Sequence, residues 1–286
     1  MNLDFIVHFF LTLEGKQLLE SASPGGAGRN KTLGQKEFES LRLILPSCDE
    51  QHKISEFINA LDDTITLLQR KLNRLQQLKQ GFLQQMFPQN GENVPRLRFA
   101  NFTGRWKQRK ALDIFESISD KNYPELPVLS ASQEKGMILR DSIGIDIKYD
   151  ENSVKTFKRV RAGQFVIHLR SFQGGFAYSS IDGITSPAYT VLDFKNKTEQ
   201  SQLFWRFVLS SEIFIKRLET VTYGIRDGRS ISYSDFSTLK FNVPSLAEQN
   251  QIGELLTSFD HSRSLLQNKV EKLQVLKKIY LQRMFT

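Results

Sequence analysis

Three stretches of the chain hold residue types that could do chemistry on a partner. "LRSFQGGFAYSS" (Leu169 to Ser180) mixes Arg, Gln, Ser and Tyr, and "TYGIRDGRSISY" (Thr222 to Tyr233) sets two arginines among glycines. "RLRFANFTGRWKQRK" (Arg96 to Lys110) carries six basic residues and no acid. Arg and Gln can make paired hydrogen bonds to base edges, while Ser, Tyr and Lys commonly hold phosphates. The chemistry implied is recognition of nucleic acid. The candidate contacts are Arg170, Ser171, Gln173, Tyr178, Tyr223, Arg226 and Arg229, with Lys158 and Arg159 beside them. Each alone is as well explained by a solvated surface, and only the set points to a polyanion.

Other chemistries find little support. "GGAGRN" (Gly25 to Asn30) lacks a third glycine, a strand-turn-helix setting and the Gly-Lys-Ser/Thr of a phosphate loop. There is no Pro-Pro anywhere, so the Asn/Asp-Pro-Pro-aromatic turn expected of a base-amine methyltransferase is absent. The single cysteine, Cys48, excludes an internal disulfide framework and a multi-Cys zinc site, and four histidines without paired spacing argue against metal chemistry. Cys48 reads as buried or incidental, and His168, alone in "FVIHL", as structural. Asp62 and Asp63 read as a solvated face or an interhelical contact. In 286 residues, Lys and Arg outnumber Asp and Glu by 39 to 31, a weak pointer to a polyanionic partner. "FIVHFFLTL" (Phe5 to Leu13) lacks the flanks of a signal peptide and is too short to span a bilayer. The expectation is a soluble, cytoplasmic protein without a cofactor or metal of its own.

The elements that must position these residues come twice. Sliding the chain by 198 residues aligns Pro46–Phe87 with Pro244–Phe285 without a gap, and 19 of 42 positions are identical. The offset continues upstream more weakly, pairing Leu41 with Leu239, Phe38 with Phe236, Gly26 with Gly224, Glu14 with Glu212 and Leu11 with Leu209. Each copy opens on Ser followed three residues later by Glu (Ser47 and Glu50, Ser245 and Glu248), the signature of a capping box. Apolar residues then recur in steps of four and three. The first seam is Ile54, Ile58, Leu61, Ile65, Leu68, Leu72 and Leu75; the second is Ile252, Leu256, Phe259, Leu266, Val270 and Leu273, with Arg263 interrupting it. Forty such residues make a helical rod of about 60 Å, longer than one turn of B-DNA. Between the rods, short apolar runs such as "FVIHL" and "YTVLDF" read as strands, and "QLFWRFVLSSEIFIKRL" (Gln202 to Leu218) reads as a packing helix whose repeat mate lies at the N-terminus. The architecture predicted is α+β. A remnant of a first globular domain spans 1–45 and a first spacer helix 46–87. A complete mixed domain spans 88–243 and a second spacer helix 244–286.

The chain resembles the DNA specificity subunit of type I restriction-modification systems. The resemblance rests on "LPSCDEQ" and "VPSLAEQ", each leading into "L..LK...LQ.MF", on "VPRLRFANFTGRWKQRKALDIF", on "TSPAYTVL" (Thr185 to Leu192) and on "YGIRDGRSI". It implies target recognition domains that each read half of a bipartite site, spaced by two long helices in an antiparallel coiled coil. It implies a non-catalytic chain whose helices dock methyltransferase subunits, which bind S-adenosylmethionine, and which the restriction motor-nuclease subunit joins. Residues 94–243 would read one DNA half-site. Because a full member has two complete units, the chain is expected to be a truncated or rearranged subunit lacking the front of its first recognition domain, and a possible homodimer. The competing expectation is a DNA-silent coiled-coil scaffold that sequesters methyltransferase subunits.

Overall fold

A computed structural model describes residues 1–23, 33–89, 91–132, 135–143, 153–168, 175–218 and 231–285. In chain order the elements are α1 (Leu3–Leu11), α2 (Leu13–Ser21), α3 (Gln35–Glu39), α4 (Cys48–Gln85), β1 (Lys107–Lys110), α5 (Ala111–Ile114) and β2 (Phe115–Ile118). They continue with β3 (Leu129–Ser132), β4 (Gly136–Leu139), β5 (Lys158–Val160), β6 (Phe165–Ile167), β7 (Phe176–Tyr178), β8 (Gly183–Thr185) and β9 (Thr190–Phe194). The last are α6 (Gln202–Leu209), α7 (Glu212–Leu218), α8 (Tyr233–Thr238), β10 (Lys240–Val243) and α9 (Leu246–Met284). The fold is α+β, and it divides into two compact units: Met1–Gln77 with Asp260–Thr286, and Leu78–Phe259.

In the first unit α4 and α9 run antiparallel. Phe57 meets the Tyr280 ring at 5.0 Å, Asp62 binds the Lys277 ammonium at 2.6 Å, and Ile65 and Leu68 bury against Val270, so position rises along one helix as it falls along the other. Leu72, Leu266 and Leu273 flank that last cluster, and Leu61 flanks the one built on Phe5, Ile54 and Ile58. Lys277 stands where the seam calls for an apolar residue, and Asp62 neutralises it. Asp62 is therefore an interhelical contact. Leu75 is half-buried.

The second unit is built on an antiparallel sheet ordered β2-β9-β6-β7, with β1-β10, β3-β4 and β5-β8 as separate antiparallel pairs. Both faces of the sheet are covered. Successive side chains on a strand point to opposite faces, and here each face meets its own core. Phe165, Ile167, Leu192 and Phe194 join the larger core with Phe115, Trp205 and Phe236, whereas Val166, Val191 and Ala177 pack with Leu129, Met137 and Val160. This explains why "FVIHL" and "YTVLDF" are apolar runs rather than alternating ones. Phe115 sits at the centre, with ring contacts to Phe165, Phe194, Trp205 and Phe236 between 5.0 and 6.2 Å. Ile252 and Leu256 of α9 belong to this core, with Met86 and Phe87 just past the end of α4, and Phe259 meets Phe82 at 5.3 Å.

The repeat is visible as the same joint built twice. Asn2 caps α1 and Ser201 is the cap position of α6; their backbone N–H groups donate to the Gln51 and Gln249 side chains at 3.0 and 2.9 Å. Each glutamine in turn donates to a proline carbonyl, Pro46 at 2.8 Å and Pro244 at 3.1 Å. Thr12 and Ser211 are likewise matched, each hydroxyl donating to the carbonyl three residues back. Asn2 and Ser201, like Thr12 and Ser211, are 199 residues apart, whereas the glutamines and the prolines keep the offset of 198. The pairing of Leu11 with Leu209 and Glu14 with Glu212 is thus corrected by one residue, while Phe38 with Phe236 and Leu41 with Leu239 hold, both leucine N–H groups bonding the phenylalanine carbonyl at 3.1 Å. The first copy therefore has one residue more than the second between Thr12 and Gly34. The Gly26 and Gly224 pair lies outside the described residues.

Candidate nucleic-acid interface

The N-terminus of α9 shows how the basic stretch is anchored. Ser245 accepts from the Glu248 N–H at 3.4 Å, but the Glu248 carboxylate does not complete a capping box. It is 1 % exposed and takes both forks of Arg98, at 2.7 and 2.8 Å, and the Trp106 indole N–H at 3.2 Å. A bidentate guanidinium is the partner a buried carboxylate needs. The Glu248 hydrogen bonds hold the Arg98 pKa above its ordinary value. Trp106 packs against Phe87 and Phe204. At the matching start of α4, Glu50 is exposed, and so is Cys48, which is therefore not buried. From this anchor the chain enters β1, whose residues Lys107, Gln108, Arg109 and Lys110 are all exposed.

Of the candidate contacts, Arg170, Ser171, Gln173, Tyr223, Arg226 and Arg229 lie outside the described residues. The residues that anchor their two segments pack together. Segment 169–174 links β6 to β7, paired through Ile167 and Phe176, and segment 219–230 links α7 to α8. The Phe176 ring lies 5.2 Å from Phe214 of α7 and 5.1 Å from Phe236 of α8, so the elements flanking the two segments meet in one core.

Lys158, Arg159 and Tyr178 are described, and each is already engaged inside the unit. Lys158 on β5 donates to the Tyr189 carbonyl at 2.6 Å, and burial, then the Lys121 charge, push its pKa below the ordinary value. Its neighbour Arg159 lies over the Tyr123 ring at 4.6 Å and pairs with Asp182 at 3.5 Å. Tyr178, on β7 of a different sheet, packs against Phe165 at 5.4 Å; burial raises its phenol pKa, opposed by Arg206 above the ring. All three are held by contacts within the unit. β1 lies within the basic stretch Arg96 to Lys110, and its exposure marks it as a surface that residue types alone do not single out.

His168 donates its backbone N–H to Gly175, lies 6.1 Å from the Tyr189 ring, and has its pKa lowered by burial. Among the described residues no group of three His, Cys, Asp or Glu is placed to hold a metal, and no helix is long and apolar enough to cross a membrane.

Comparison with known proteins bears on both repeats. The family model of the type I restriction modification DNA specificity domain matches residues 2–77 and 104–275. The specificity subunit of the type I restriction enzyme MjaVIII of Methanocaldococcus jannaschii is 22% identical over 292 residues, covering 95% of this chain and 67% of its own. Among solved structures, the S subunit of the type I restriction-modification system from M. genitalium shares the fold with a TM-score of 0.63 at 14% identity, over 100% of this chain and 73% of that one. The HsdS subunit from Thermoanaerobacter tengcongensis gives 0.53 at 15% identity, over 99% and 69%. Since the family model takes in both copies of the joint and most of the sheet between them, the chain belongs to the type I restriction modification DNA specificity family.

Proposed function

We propose that this chain is the sequence-reading, non-catalytic subunit of a type I restriction-modification complex, recognising a DNA half-site through residues 94–243. Its helices α4 and α9 scaffold the methyltransferase subunits, which carry S-adenosylmethionine, and the restriction motor-nuclease subunit joins that assembly in the cytoplasm. The observation that carries the reading is the family match over both repeats. The convergence of Phe176, Phe214 and Phe236 supports it, because it joins the elements that flank the segment with Arg170 and Gln173 to those that flank the segment with Arg226 and Arg229. Copurification with the companion methyltransferase subunit, followed by mapping of adenine methylation on random-sequence DNA, tests it. One short methylated motif is expected, and a palindromic pair of motifs at fixed spacing would add that two chains act together. A stable complex that methylates nothing would leave a DNA-silent scaffold.

A further inference from the structure

Beside the start of α9 lies a cavity of about 360 Å³ whose lining includes Arg98, Arg105, Lys107 and Arg109 against two carboxylates, Glu199 and Glu248. The two carboxylates are not equivalent. Glu248 is buried and consumed by Arg98 and Trp106, so it fixes the wall rather than repelling an anion. Glu199 is half exposed and only 3.7 Å from Arg109, a loose pair that solvent screens strongly. Among the described residues neither Arg105 nor Lys107 has an ion-pair partner, and both are exposed. Lys107 and Arg109 alternate on β1, so they project to one side roughly 7 Å apart. Ser245 takes the Glu248 N–H, and the start of α9, whose Leu246 lines the cavity, adds positive potential.

We propose that this basic cavity is a docking site for the phosphate backbone of duplex DNA, with Arg105, Lys107 and Arg109 as the contacting cations. The inference rests on the reading of the chain as a DNA-binding subunit and adds to it a site separate from the segments expected to read bases. Phosphate contacts fix register and carry no sequence information. A rigid wall suits such contacts. Arg98, Trp106 and Glu248 tie the basic stretch to α9, so a phosphate held here fixes the duplex relative to the core whose elements flank the reading segments.

The test is the affinity of the full chain for random-sequence duplex DNA, measured by fluorescence anisotropy across a salt series. The triple variant Arg105→Ala, Lys107→Ala, Arg109→Ala should bind more weakly at every sequence, with the slope of log affinity against log salt shallower by about 2 to 3. Glu199→Gln should strengthen binding. The methylated motif, read in the complex, should keep its sequence while methylation of it slows. An unchanged slope in a variant that melts like the parent overturns the proposal. So does a variant that binds DNA normally but loses its methyltransferase partner, which would make the cavity a protein-docking site. A parent chain that binds no duplex overturns the function reading along with it, whereas binding by the parent with no loss in the variants overturns the site alone.

Discussion

At the residue scale the decisive side chain is Glu248. A carboxylate 1 % exposed is tolerable because Arg98 meets both of its oxygens and Trp106 adds a third bond. Arg98→Ala should cost about 3–5 kcal/mol, since it strands a buried charge. Pairing it with Glu248→Gln should cost less than the sum of the single changes, as a double-mutant cycle by urea unfolding would read. His168 gives a pH-dependent prediction. Burial lowers its pKa below the ordinary 6.5, so the folded state favours the neutral ring. The unfolded chain therefore takes up the proton first, and stability falls as pH drops below about 6.5 toward the folded pKa. His168→Gln should flatten that decline in melting temperature. Neither effect was legible in the sequence. Arg98 and Glu248 are 150 positions apart, and a lone histidine in a strand does not announce its burial.

At the element scale the two long helices were legible and the sheet was legible in kind, whereas the single helix expected over Gln202 to Leu218 is two, α6 and α7, broken at Ser210 and Ser211. Steps of four and three placed Ile54, Ile58, Ile65 and Leu68, all buried, because a helix returns to one face with that period. "YTVLDF" was recognisable as a strand but not its two-sided burial, which depends on β3, β4 and β5 covering the second face. Nor does local pattern pair β1 with β10, whose partners are more than a hundred residues apart. The glycines of the two long helices provide a matched test. A Cβ at Gly253 would lie 2.7 Å from the Leu203 Cβ and 2.8 Å from the Phe204 nitrogen, so α6 would have to retreat. One at Gly81 would meet nothing within 4 Å. Gly81→Ala should therefore stabilise by about 0.5–1 kcal/mol through helix propensity, while Gly253→Ala should lower the melting temperature despite the same propensity gain.

At the scale of the whole molecule, two units with separate cores share two helices. Ile58, fully buried, belongs to the unit of α1 and the end of α9. Ile58→Ala should cost about 2–5 kcal/mol and should raise hydrogen exchange first in α1 and residues 260–286, with the amides of β6 and β9 still protected. The repeat itself was legible, but its register near the N-terminus was not, because a one-residue difference between Thr12 and Gly34 is visible only where hydrogen bonds identify equivalent positions. The twice-built glutamine joint has a consequence for how the protein ages. Gln51 and Gln249 each accept with one end of the amide and donate with the other. Deamidation would turn the donating end into a second acceptor facing a proline carbonyl, so a lesion that leaves size and shape almost unchanged would unfasten the start of a long helix. Enclosure, at 3 % and 1 % exposure, keeps water from both amides, and the joint thereby shelters the chemistry on which it depends.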